Sequence, residues 1–75
     1  MATDKHNELK LAAMRWLKIL GLHPDDREYQ LLRYRVDVIG RNSSGVPVVA
    51  VECGVTPSYK LDELSLYFPH RYSVL

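Results

Sequence analysis

The chain has 75 residues, a net charge of +1, a single cysteine, and apolar side chains at 47% of its positions. That supplies one small globular core and excludes a disordered chain, while one cysteine excludes the internal disulfide that staples many small secreted domains. No apolar run approaches the ~20 residues of a membrane span and nothing resembles a signal peptide, so a soluble cytoplasmic protein is expected.

The first predicted element is an amphipathic helix over residues 4–20. Leu9, Ala13, Trp16 and Leu20 recur at helical spacing, and Ala12 and Leu17 widen the stripe. Thr3 or Asp4 suits the cap, Gly21 suits the left-handed position past the end, and Trp16 reads as a core anchor. Residues 22–26, with Pro24, Asp25 and Asp26, read as a loop. Strand character then runs over 28–40, with a bend or turn at Leu32-Arg33. Asn42-Ser43-Ser44-Gly45 is a turn cluster between β-branched runs, which predicts a β-hairpin. Its second strand, 46–53, is the most apolar stretch and the natural centre of a sheet, with Pro47 near the start, where a missing donor does little harm.

Thr56-Pro57 marks a helix start, with Thr as cap and Pro as first helical residue. Leu61, Leu64 and Phe68 give that helix a buried stripe, and Pro69 stops it. Residues 71–75 form a last short strand; parallel to 46–53, it makes the helix a right-handed crossover. The expected class is α/β (α+β): a small mixed sheet of three to four strands flanked by two helices, order α-β-β-(β)-α-β, in one domain over residues 1–75. A core this small also favours a homodimer.

Asp37 and Glu52 each stand alone among apolar residues in a strand-like run. A carboxylate in a mostly buried strand is costly unless paired, hydrogen-bonded or bound to a metal. With residues 42–45 as a four-residue loop, Arg41 lies opposite Val46, Asp37 opposite Ala50, and Glu52 opposite Arg35. The acids are then diagonal neighbours on one face, about 7–8 Å apart at the backbone. Two carboxylates at that spacing suit Mg2+ or Mn2+, which prefer hard oxygen ligands. The alternative is that they pair with Arg33 or Arg35 and decorate a sheet edge. Lys10, Arg15 and Lys18 on the first helix, and Arg33, Arg35 and Arg41 around Asp37, either track phosphates or form a solvated surface. Cys53 reads as a structural thiol; His6, His23 and His70 lack metal-ligand spacing and read as surface residues. Tyr34 reads as packing, and Tyr59 and Tyr67 are candidates for base stacking.

A helix bearing Glu8, a strand bearing Asp37, a turn, and Val-Ala-Val-Glu-Cys-Gly together resemble the PD-(D/E)XK nuclease superfamily, which includes restriction-endonuclease-like and Holliday-junction-resolvase-like proteins. The likeness spans nearly the whole chain, and its motif is short. It implies a restriction-endonuclease-like minimal core and a nucleic-acid phosphodiesterase, with DNA ahead of RNA as substrate. It also implies that Asp37 and Glu52 bind magnesium and that a lysine orients or activates the attacking water. Val36 stands where the motif proline would be, and Gly54 where its lysine would be. Lys60 is the candidate replacement and Glu8 a candidate third acid; the other reading of each is an exposed helix residue. Loss of the lysine leaves open a degenerate, non-catalytic module that binds nucleic acid or protein, or a small dimeric structural protein.

Overall fold

The computed structural model describes residues 4–27, 29–31 and 34–74. Helix α1 (Asp4–Ile19) is followed by strands β1 (His23–Asp25), β2 (Tyr29–Leu31), β3 (Tyr34–Val36), β4 (Val38–Arg41) and β5 (Pro47–Cys53). Helix α2 (Ser58–Leu64) and strand β6 (His70–Val74) complete the order. Four strands form a mixed sheet in the order β1-β4-β5-β6, antiparallel except for the parallel β5–β6 pair; β2 and β3 form a separate antiparallel pair. The fold is thus a small α/β domain with two helices and a four-stranded mixed sheet, as the sequence pattern predicts.

The sheet separates two apolar clusters. On one face Ala13 and Leu17 of α1 pack on Val38, Val49 and Val51; on the other, Leu64 and Phe68 pack on Val36, Ile39 and Ala50. Each fully buried leucine or valine contributes roughly 1.5–3 kcal/mol against leaving it in water. The parallel pairing of β6 with β5 fits the predicted return of the chain through a helix. Trp16 is half-buried and meets Tyr72 of β6 edge-to-face, with ring centres 4.9 Å apart. Among the described residues, no helix is long and apolar enough to cross a membrane.

Several expectations change. Residues 23–25 are an edge strand rather than loop: Pro24 is tolerated there because an edge strand has one side without ladder partners. The predicted single strand over 28–40 divides into β2, β3 and β4; Thr3, Glu28, and the proposed bend at Leu32-Arg33 lie outside the described residues. On α1 the buried face centres on Ala13 and Leu17, while Ala12 and Leu20 are exposed. At α2, Pro57 is the cap residue with extended backbone (ψ 141°), and Ser58 opens the helix. Thr56 donates its hydroxyl to the Gly54 carbonyl instead, at 3.3 Å. The helix ends at Leu64, and a turn precedes Pro69.

The turn at 42–45 is built as its residues suggest. The Asn42 side-chain oxygen accepts from the amides of Ser44 (2.9 Å) and Val46 (3.0 Å), and Gly45 takes φ of 82°. Gly40 does different work, since α1 crosses β4 closely there. A Cβ at Gly40 would stand 2.9 Å from Leu17 Cδ2 and 3.3 Å from both Leu22 Cδ1 and Val49 Cβ. Gly40→Ala is therefore expected to destabilise by about 1–3 kcal/mol through overpacking. Thermal denaturation would register this as roughly 4–8 °C for each kcal/mol.

Candidate functional site

Val36 and Val38 would share a face in an unbroken strand, yet they belong to opposite clusters. The chain therefore switches sides at Asp37, the residue between β3 and β4. This break exposes a carboxylate that an uninterrupted strand would bury. Asp37 Oδ2 accepts a hydrogen bond from the Cys53 amide at 2.9 Å, and Oδ1 lies 3.7 Å from His6 Nε2.

The register differs from the expected one. Val38 pairs with Val51 and Ile39 with Ala50, while Arg35 pairs with Gln30 in the smaller sheet. The turn sets Arg41 opposite Pro47 rather than Val46, and a bulge between Gly40 and Arg41 adds one more residue, so that Gly40 pairs with Val49. The ladder ends at the Val38–Val51 pair, and Asp37, one residue beyond it at the break, lies close enough to Glu52 for its carboxylate to act on that acid. An even-numbered slip preserves facing, which is why the two remain together.

Glu52 is the buried acid, with 4% of its surface exposed. Its Oε2 is 3.1 Å from Lys60 Nζ, and its Oε1 has no hydrogen-bond partner among the described residues. Burial raises the Glu52 pKa to about 7; the Lys60 hydrogen bond and charge oppose this, and the neighbouring Asp37 carboxylate adds to it. Lys60 reaches inward from the first turn of α2 instead of lying along the helix surface. Its ammonium also donates to the Arg35 carbonyl at 3.0 Å and sits 5.7 Å from the centre of the buried Tyr34 ring. Lys60, Glu52, Asp37 and His6 thus form a row from α2 to α1.

Gly54 has φ of 109°, a conformation that L side chains rarely adopt. A lysine there would be strained, and Lys60 supplies the ammonium beside Glu52 from another element. Glu8, the other sequence candidate, is exposed on α1 and is not brought to the pair. It stands two positions after His6, so the two side chains leave the helix in nearly opposite directions. His6 is the residue that sequence reading misses; it lies seven residues before Ala13, in line with the buried stripe. Among the described residues, no group of three or more His, Cys, Asp or Glu side chains could hold a metal ion.

The arginine alternative takes another form. Arg41 Nε lies 3.4 Å from Asp25 Oδ2, and Arg27 engages both Asp25 oxygens at 3.0 Å. Those contacts hold the Asp25 carboxyl well below the usual range, and they fasten the sheet edge rather than the acid pair. Arg33 lies outside the described residues. The half-buried Cys53 thiol is pushed up to about 11, mainly by burial and then by the Asp37 and Glu52 charges, so it stays protonated and unreactive at neutral pH. Tyr59 and Tyr67 are exposed. A cavity of about 240 Å³, lined by Lys10, Asp26, Arg35, Val36 and Asp37, opens beside Asp37.

The chain matches no protein-family model, no curated protein and no solved structure.

Proposed function

We propose that this domain is a metal-dependent nucleic-acid phosphodiesterase of the PD-(D/E)XK kind, with DNA ahead of RNA as substrate. The supporting observation is the closeness of Asp37 to Glu52, whose buried Oε1 has no hydrogen-bond partner among the described residues. Two adjacent carboxylates, one with an orphaned oxygen, call for a proton or a cation. Both donors are hard oxygens, which fits Mg2+ or Mn2+; such ions are commonly held by one or two carboxylates, with water and substrate phosphate completing the shell. When bound, the ion would stabilise charge developing on the phosphodiester and acidify a water.

The chain's own residues supply the remainder. Asp37 and Glu52 would hold the ion, the Cys53 amide fixes the Asp37 carboxylate, and Lys60 would orient the attacking water. Lys60 is preset for this by Glu52, the Arg35 carbonyl and the Tyr34 ring. Burial of Glu52 excludes bulk water from that side. A homodimer belongs to the same proposal, because a second copy would add surface to grip a substrate.

One observation favours a second reading. The Lys60 ammonium already offsets the Glu52 charge, and Gly54 stands at the motif lysine position. A non-catalytic binding module would keep that ion pair and need no metal.

Incubation with single-stranded, duplex and branched DNA, and with RNA, in magnesium, manganese or chelator separates the readings. The expected result is metal-dependent cutting that Asp37→Ala and Glu52→Ala each reduce to background. Binding without cutting in every metal would overturn the enzyme and leave the module.

A further inference from the structure

The cavity beside Asp37 adjoins a second one. This neighbour, about 210 Å³, is lined by Asn7, Lys10, Leu11, Met14 and Asp26. Lys10 and Asp26 border both cavities, so the two make a single track along α1 that ends at Asp37.

The halves of the track differ in chemistry. Near Asp37 the cavity is lined by the cations Lys10 and Arg35, which can contact a phosphate, together with the carboxylates of Asp26 and Asp37. The outer half has an apolar wall of Leu11, which is 56% exposed, and half-buried Met14. Asn7 adds an amide at the rim. Met packs on flat, irregular partners through its polarisable thioether. Asp26 repels a phosphate, but its carboxylate can accept from the amino or imino groups of a base edge.

We infer that the track takes an unpaired stretch of nucleic acid. The phosphate lies between Lys10 and Arg35, and the adjoining base rests on Leu11 and Met14 with its edge toward Asn7 and Asp26. This rests on the phosphodiesterase reading for which phosphate is cut, and not for the binding itself. A fully paired duplex would have to unpair to use it, because base edges engaged in Watson–Crick pairs cannot reach Asn7 or Asp26.

The test is fluorescence anisotropy of the full chain with short labelled single strands and with a blunt duplex of the same sequence, in chelator so that nothing is cut. The single strand is expected to bind about tenfold more tightly than the duplex at low salt, where phosphate contacts are strongest. Lys10→Glu and Arg35→Glu should each weaken it by about tenfold, and the milder Lys10→Gln should flatten the salt dependence by about one phosphate contact. Lys18→Glu, on exposed α1 surface bordering neither cavity, controls for net charge, and circular dichroism confirms folding. Equal or tighter duplex binding, or losses no greater than for Lys18→Glu, would overturn the inference. Cleavage in magnesium is scored separately. Single-strand binding without cutting retires the nuclease and keeps the track, whereas cutting of paired duplex with no single-strand preference does the reverse.

Discussion

Raising the pH from about 4.5 to about 7 is expected to lower the stability of the metal-free domain, and adding magnesium or manganese at pH 8 to restore it. Glu52 carries the effect. Its carboxyl is raised from its ordinary 4.5 to about 7, first by burial and further by the Asp37 charge, with Lys60 of α2 opposing. Beyond Asp37, His6 is the next group in the row. A folded-state pKa above the unfolded one means that the native state binds the extra proton. The associated stability is complete below the unfolded value and is lost as pH rises through the folded one. The slope is at most about 1.4 kcal/mol per pH unit within that interval. Urea denaturation at closely spaced pH values measures it, and Glu52→Gln should remove the slope, since an amide does not titrate there.

The metal arm follows by linkage. An ion that binds the ionised acids of the native state stabilises it by about 2.7 kcal/mol at a hundredfold excess over its dissociation constant. It competes with the proton, so the midpoint gain should be large at pH 8 and small at pH 5. A gain of equal size at both pH values would exclude Glu52 as a ligand. At the acid end a second group has the opposite sign. Asp25 is held below its ordinary range by Arg27 and Arg41, so its contribution is present above the unfolded carboxylate pKa and is lost as pH falls toward the folded one. The two effects occupy different pH intervals and are separable by Asp25→Asn.

The elements with strong periodicity were legible in the residues. Helix α1, the hairpin around Asn42–Gly45, the central apolar strand, the second helix and the parallel return strand all follow from spacing and turn chemistry. Strand β1 was not, because Pro24-Asp25-Asp26 carries the same residues as a loop; only its place at a sheet edge makes them a strand. The pairing of Asp37 with Glu52 depends on two features that the alternation of side chains does not encode. One is the bulge at Gly40/Arg41, which adds one residue to the one already gained at the turn and so moves the register by two. The other is the break at Asp37, which puts Val36 and Val38 on opposite faces. His6 escaped notice because three histidines without ligand spacing look alike, and only its alignment with Ala13 and Leu17 distinguishes it. At Gly54, sequence reads a missing lysine, whereas its φ of 109° supplies a backbone reason for glycine.

Lys60→Met should then have the largest effect of any single substitution at the site, and its size should depend on pH. Methionine keeps much of the side-chain volume packed near Tyr34 and removes the ammonium that lies 3.1 Å from Glu52. Removing one partner of a buried ion pair costs about 3–5 kcal/mol when the other charge is left behind, a large share of the stability of so small a domain. Glu52 has an escape, because it can take up a proton. With the opposing Lys60 contributions gone, its pKa rises further, so the loss at pH 5 should be much smaller than at pH 8. Lys60→Met with Glu52→Gln should recover stability at pH 8, since neither charge remains to be left alone, and a double-mutant cycle measures their coupling. Cleavage should stay absent in the double variant under every metal. If Lys60→Met instead cuts DNA at the wild-type rate while losing stability at pH 8, Lys60 only neutralises Glu52, and orientation of the water must be assigned to another group.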